Sequence, residues 1–369
     1  MVRALLAGGL GLLLALPSVH AVENVRPRGR PLPAQHEADF YERLGGDLVR
    51  CQLCPRRCVM APGQRGICRV RENDAGKLYS LVYGRPCTVG KEPIEKAPLF
   101  HFLPGRSRIT LATVGCNQMC KYCQNWEISQ SSPEDLPSYD LAPERIVAIA
   151  EEEESPIICF TYSEPVVFYE YMCDIARLAR PKGIRTAVVT GGYINPEPLK
   201  KLCSLVDAIK VDLKGFTDDF YQEVCGSSLE PVLEACRIVA ESGTHLELVN
   251  LVVPALNDDT AQVRKMCSWI VNELGDTIPV HFTRFSPAYR LQDSPPTPLT
   301  TLERAAAIAH AEGLKYVYLG NTPGHLLEST RCPACDSILI SRRGFTVLEN
   351  NVKNGMCSFC GEHIPGVWH

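Results

Sequence analysis

Between residues 109 and 319 the chain alternates short β-branched apolar runs with longer stretches whose apolar positions recur at helical spacing. The runs 109–114, 157–161, 186–190, 208–212, 246–253, 280–285 and 316–319 predict strands; several are apolar almost throughout, as parallel strands covered on both faces are. The stretches 143–153, 166–180, 196–204, 229–242, 260–274 and 300–312 predict helices. Pro143 and Pro196 suit a first helical position, and Gly183, Gly243 and Gly313 fall where a C-cap belongs. Strand–helix alternation implies a parallel sheet with right-handed crossovers, hence an α/β fold built as a partial or full (β/α) barrel. A doubly wound open sheet has the same alternation, but no GxGxxG follows any strand to support a dinucleotide fold.

In a barrel of this kind the active face is the C-terminal end of the strands. The polar and glycine motifs of this chain gather there. After the first strand come Cys116, Cys120 and Cys123; after the second, Thr161-Tyr162-Ser163-Glu164-Pro165; after the third, Thr190-Gly191-Gly192. The fourth ends in Lys210-Val211-Asp212-Leu213-Lys214, the fifth runs into Asn257-Asp258, and the last two lead to Arg284 and Tyr289 and to Asn321 and His325. Seven coincidences in register predict one site.

The Cys-x3-Cys-x2-Cys run is the most specific of these motifs. Three thiolates at that spacing can hold three irons of a [4Fe–4S] cluster and leave the fourth open to a small molecule. The alternative is a zinc site, or a chance grouping in a chain with 18 cysteines. Glu164, directly after an apolar strand, can accept hydrogen bonds from a ligand ammonium, or can serve as a helix-start carboxylate. Asp212 and Lys214, two apart on a strand, share a face; they pair across the barrel mouth or form an exposed ion pair of little worth. Gly191 and Gly192 permit close backbone approach or make a tight turn. Asn257-Asp258 faces the site or forms a turn or N-cap for the helix that follows. Arg284, Tyr289 and Asn321 are substrate-side candidates, and His325 reads as structural.

Two further cysteine groups flank the barrel. Cys332-x2-Cys335 and Cys357-x2-Cys360, with 21 residues between the pairs, read as a closed tetrahedral zinc ribbon that folds the tail, docks a partner or covers the barrel mouth. Cys51, Cys54, Cys58 and Cys68 suit zinc, an auxiliary [4Fe–4S] cluster or a mixture; zinc is the first choice, though spacing does not decide. Cys87, Cys159, Cys173, Cys203, Cys225, Cys236 and Cys267 are scattered and read mainly as small hydrophobes. The expected organisation is therefore an apolar signal-like segment 1–21, a linker 22–50 with a short helix over 39–50, a cysteine-rich module 51–105, the barrel 106–325 and a zinc-ribbon-like tail 326–369.

Residues 4–16 are apolar and precede Val19-His20-Ala21, a small-residue cleavage pattern, so the start reads as a Sec-type signal peptide. Free thiolates and a low-potential cluster belong in a reducing compartment. Export, a membrane-tethered start and an over-extended start codon reconcile the two, with a cytoplasmic or cytoplasm-facing location preferred. A net charge of −4 gives no footprint for nucleic acid, and none is expected as a partner.

The run from Cys116 to Trp126 resembles the signature of the radical S-adenosylmethionine (SAM) superfamily. The resemblance implies a [4Fe–4S] cluster on Cys116, Cys120 and Cys123, with SAM on its open iron. Reductive cleavage then gives methionine and a 5′-deoxyadenosyl radical that abstracts hydrogen. It also implies that Tyr122 lies against adenine and that Glu164 contacts the SAM amino group. Asp212 and Lys214 would anchor its carboxylate and ribose, with Gly191, Gly192 and Asn257 beside it. Tyr162-Ser163 depart from the Gly-Gly that usually precedes the Glu-Pro. Read together, Cys51-Gln52-Leu53-Cys54-Pro55-Arg56-Arg57-Cys58, Gly66-Ile67-Cys68, Glu92-Pro93-Ile94-Glu95-Lys96, the cluster run, Tyr318-Leu319-Gly320-Asn321 and the cysteine tail resemble the radical SAM enzyme of the AmmeMemoRadiSam system. That family is similar to pyruvate formate-lyase activating enzymes. The resemblance implies Memo-like and Amme-type partner proteins, a flavodoxin or ferredoxin as electron donor, and a protein or peptide substrate. A glycyl-radical activase and a zinc-stapled scaffold with a degenerate barrel are the competing readings.

Overall fold

The computed structural model describes residues 20–21 and 36–369. The apolar run 4–16 and the Pro/Arg stretch 26–33 lie outside the described residues, and the export reading with them. Among the described residues no helix is long and apolar enough to cross a membrane.

All seven predicted strands form, each within two residues of its expected bounds: β2 (Ser107–Ala112), β3 (Ile157–Phe160), β4 (Arg185–Thr190), β5 (Ala208–Asp212), β6 (His245–Val252), β7 (Val280–Arg284) and β8 (Val317–Gly320). They pair in parallel in that order. One strand was not foreseen. β1 (Thr88–Pro93) pairs antiparallel with β2, and His20–Ala21 pairs on its outer edge. Gly90, Lys91, Glu92 and Pro93 give β1 little strand propensity; pairing with β2 settles it. In the ladder β1 and β8 are the two ends of a partial barrel, apart from that two-residue addition beyond β1. The crossover helices are α1 (Pro143–Glu152), α2 (Tyr169–Ala179), α3 (Pro196–Cys203), α4 (Glu230–Ser242), α5 (Thr260–Glu273) and α6 (Leu299–Ala311). The helix expected from residue 166 opens instead as a 3-10 turn, Pro165–Phe168, whose N-cap is Glu164.

The helix expected over 39–50 is absent. Tyr41–Arg43 and Val49–Cys51 form an antiparallel hairpin. Gly45-Gly46 in mid-helix would cost roughly 1 kcal/mol each, whereas the turn uses Gly46 at φ 69° and Asp47 at φ 57°. Residues 36–50 thus pack with the cysteine-rich segment. That segment leans on the C-terminal strand ends, where Asn195 donates through its backbone N–H to Leu53 O (3.0 Å) and through Nδ2 to Gln52 O (2.6 Å).

The tail forms an antiparallel sheet of Thr330–Arg331, Ile338–Arg343 and Thr346–Asn350. It docks at the opposite, N-terminal end of the strands. Leu339, Ile340, Ile364, Cys332 and Cys357 share a buried cluster with Phe100, Tyr316 and Tyr318. Of the roles considered for it, covering the barrel mouth is thereby excluded.

Candidate active site at the strand ends

Cys116, Cys120 and Cys123 lie on the non-helical loop that leaves β2. The loop is fixed from below. Met119 N–H donates to Cys225 O (2.8 Å) and Lys121 N–H to Val224 O (2.9 Å). Arg56 donates to the carbonyls of Asn117 (3.0 Å) and Gly226. Residues Tyr221–Cys225 form a π-helical turn, a feature frequent at functional sites.

The three thiols sit in surroundings that oppose their ionisation. Burial, then the Glu164 carboxylate, pushes Cys116 well above the ordinary thiol range. A hydrogen bond with Cys225 and burial do the same to Cys120, and burial raises Cys123. Three thiols on one loop are a donor set that fits metal ligation, and a bound metal would offset the cost of ionising them there. The loop also leaves a buried orphan, since Asn117 Oδ1 has no hydrogen-bond partner.

Glu164 is buried beneath this loop. It accepts hydrogen bonds from Thr190 Oγ1 (2.6 Å), the Gly191 N–H (2.9 Å) and the Val166 N–H (3.2 Å). Burial raises its pKa, and these bonds with the nearby Lys214 charge only partly offset it. Gly191 is required by close packing: a Cβ there would lie 2.1 Å from Gln118 Oε1 and 3.3 Å from Glu164 Oε2. Gly192, at φ 68°, would place a Cβ 2.9 Å from Val211. The departure from Gly-Gly before Glu164 keeps a glycine-like backbone, because Tyr162 itself stands at φ 68°. Its hydroxyl donates to Glu92 and its carbonyl accepts from Asn125 Nδ2 (2.9 Å).

Asp212 and Lys214 do pair, at 3.3 Å, and the pair is no exposed bridge: the Lys214 side chain is 12% exposed. A second ammonium, Lys210, bonds the other Asp212 oxygen. Burial would raise the Asp212 pKa, and the two ammonium groups outweigh it and hold the carboxyl below its usual range. Lys210 belongs to the same strand face at the same two-residue spacing, so the signal for it was present but unused.

The remaining candidates separate. Tyr122 is buried, with its hydroxyl 3.5 Å from Cys225 Sγ and its ring stacked toward Phe220. Asn257 does not face the mouth. It donates to the carbonyls of Lys214 (2.7 Å) and Leu251 (2.8 Å) and accepts from the Val253 N–H (2.6 Å), so it ties down the Lys214 loop. The α5 N-cap is Asp259, not Asn257 or Asp258. Arg284 bonds Thr297 O and Asn321 bonds Arg284 O, while Tyr289 stacks on Trp126 at 5.3 Å beside the cluster loop. His325 turns outward to Glu303 and caps a 3-10 turn, as its structural reading required. Cys225 was the residue missed. Beside Cys120 and Tyr122, it is indistinguishable in sequence from the other scattered, buried cysteines.

In the tail, the sulfurs of Cys332, Cys335, Cys357 and Cys360 all lie within 4.8 Å of one another. Cys332–Cys360 and Cys335–Cys357 are 3.6 and 3.8 Å apart. Cys335 is lowered to about 6, chiefly by the Ser337 hydroxyl.

The Radical SAM superfamily pattern matches residues 110–267. An uncharacterized protein of Methanocaldococcus jannaschii is 46% identical over 330 residues, spanning 89% of this chain and 98% of that protein. The chain carries a radical SAM domain over those residues and belongs to one family with that archaeal protein. It is also similar to the pyruvate formate-lyase-activating enzyme of Clostridium pasteurianum, 24% identical over 48% of this chain and 80% of that one. A radical SAM methyltransferase from Sphaerobacter thermophilus overlays with a TM-score of 0.47 at 19% identity, covering 60% of this chain and 68% of that structure.

Proposed function

We propose that this protein cleaves SAM reductively at the mouth of its partial barrel and directs the resulting hydrogen abstraction at a protein or peptide. Cys116, Cys120 and Cys123 hold the [4Fe–4S] cluster, which when bound with SAM at its open iron supplies methionine and a 5′-deoxyadenosyl radical. The observation that carries this reading is the convergence of three thiols, the buried Glu164 and the Lys210–Asp212–Lys214 triplet on one set of strand ends. Glu164 receives the SAM ammonium, a charge-assisted contact in a buried site. Lys214, with Lys210 behind it, faces the SAM carboxylate, and Asp212 aligns both ammonium groups. Gly191 and Gly192 let the chain pass close to the ligand. Tyr122 fixes the floor of the loop. The test is anaerobic reconstitution, reduction with dithionite, addition of SAM, and mass spectrometry of 5′-deoxyadenosine and methionine. Absence of both products from protein with a reducible cluster would reject the reading.

Glu164→Gln is expected to weaken SAM binding roughly 10- to 100-fold, the worth of a charge-assisted hydrogen bond, with iron content unchanged. Because burial raises the Glu164 pKa, SAM affinity of the parent protein should fall as pH drops through that raised value, and that of Glu164→Gln should not. Anaerobic titration calorimetry across pH reads both.

Similarity to activating enzymes favours one specific version: a glycyl-radical activase, with a flavodoxin or ferredoxin donor. A glycyl electron paramagnetic resonance signal in a partner protein would identify it. The AmmeMemoRadiSam version predicts Memo-like and Amme-type partners instead, recovered by co-purification.

The tail cysteines suit a single ion. A tetrahedral site with Zn–S bonds of about 2.3 Å puts its sulfurs about 3.8 Å apart, close to the spacings found. Zinc there is structural. Chelation should release about one zinc per chain and open residues 330–369 to proteolysis while the barrel stays resistant; elemental analysis with limited proteolysis follows both.

A further inference from the structure

The cysteines of the N-terminal module carry an inference that spacing alone could not. We infer that Cys51, Cys54, Cys58 and Cys68 hold a second [4Fe–4S] cluster, with all four irons bound by protein, in a pocket that adjoins the SAM-cluster loop.

The molecule contains two internal standards for sulfur spacing. The tail cysteines are drawn together as a single tetrahedral ion requires, every sulfur within 4.8 Å of the others. Among the described residues no other group of three or more cysteines is so drawn together. Cys116, Cys120 and Cys123 are not, as suits thiolates that each bind a different iron. Cys51, Cys54, Cys58 and Cys68 follow this second pattern. They are nevertheless not dispersed: all four line one pocket. A single ion would draw the four sulfurs together as in the tail; a cuboidal cluster holds them further apart, each on its own iron.

The walls fit that occupant. Leu53, Met60, Val166 and Val167 give an apolar lining, and the guanidinium of Arg71 lies 3.8 Å from Cys51 Sγ. Four thiolates on an oxidised cluster leave a net negative charge, and Arg56 and Arg71 both line the pocket. Arg71 is itself held in place by the buried Glu170. Full cysteine ligation leaves no open iron, so this cluster does one-electron chemistry and does not take SAM. Its place is close to the other centre. Asn117, the neighbour of Cys116, lines the pocket, and Cys68 O lies 2.6 Å from where a Gly115 Cβ would stand.

The experiment is metal analysis of the full chain after anaerobic reconstitution, and it does not depend on SAM chemistry. The variant Cys116→Ala/Cys120→Ala/Cys123→Ala should retain about four iron and four sulfide per chain, plus one zinc. Two zinc and no iron in that variant would overturn the inference. Should it not fold, the parent protein decides. After reduction its electron paramagnetic resonance spectrum should contain two cluster signals, of which SAM shifts one. A single signal, all of it responsive to SAM, would overturn the inference equally. Failure of the SAM reading has a different signature, in which two clusters assemble and neither signal moves with SAM.

Discussion

Under the proposed function, Cys120→Ala should abolish 5′-deoxyadenosine formation, because one missing thiolate would remove the proposed site of SAM binding and cleavage. The loss should be complete and not graded. Two cysteines cannot hold a cluster whose other ligand is the exchangeable SAM, and the Cys120 thiol is buried. Cys225 complicates the experiment usefully. It hydrogen-bonds Cys120 and is held below the ordinary thiol range: burial opposes its ionisation, and Cys120, Lys214 and Tyr122 outweigh that. Its contact with Cys120 makes it the candidate to stand in for that ligand. Residual activity in Cys120→Ala that disappears in Cys120→Ala/Cys225→Ala would show substitution of one ligand for another. Activity persisting in the double variant would refute the assignment of the cluster to this loop. Iron and sulfide content, measured beside product formation, separates loss of the cluster from loss of chemistry.

The second large effect is expected at the other end of the sheet. Glu247 is wholly buried and accepts four hydrogen bonds: from the N–H groups of Phe100 (3.0 Å) and His101 (2.7 Å), and from Nε2 of His245 (2.9 Å) and His281 (2.7 Å). Burial would raise its pKa, and the histidine bonds outweigh that and hold it well below the carboxylate range. From His101 the network continues. Its Nδ1–H donates to Pro365 O (2.7 Å), so its Nε2 accepts from the Tyr318 hydroxyl (2.6 Å), which meets Thr330. Arg342 closes the chain on Thr330 and Phe100 O. This network fastens the tail to the barrel. Glu247→Ala would strip a buried acceptor from four donors, and roughly 3–5 kcal/mol of stability should be lost. Urea unfolding measures it, and a change under about 1 kcal/mol would show that the network does not hold the tail.

The same network makes the protein acid-sensitive. Burial holds His101 at about 4, against 6.5 for an ordinary histidine. The unfolded chain therefore takes up a proton as pH falls through 6.5, while the folded chain resists until about 4. Stability is thus full above pH 6.5 and declines by about 3 kcal/mol across that window. His281, lowered by burial, adds in the same direction, and Glu247 adds further loss below its ordinary value of 4.5.

The physics of local pattern explains how much of this was legible in the sequence. The seven parallel strands announce themselves because a strand buried on both faces must be apolar throughout, and the crossover helices because one face must be. The cysteine triplet and Glu164 were legible because they follow those strands directly, and the barrel's geometry places strand ends together. The tail's four thiols were legible because paired cysteine knuckles are short-range. What the sequence did not determine depends on groups distant along the chain. β1 has weak propensity of its own and exists through its pairing with β2. The 39–50 hairpin forms where a helix was expected because its turn and its packing outweigh helical spacing. Asn257 turns from the mouth because the Lys214 and Leu251 carbonyls need a donor. Cys225 acquires its place only when a π-helical turn brings it beneath Cys120. The sulfur spacing on which the second-cluster inference rests is likewise a distance in space, and no count of intervening residues contains it.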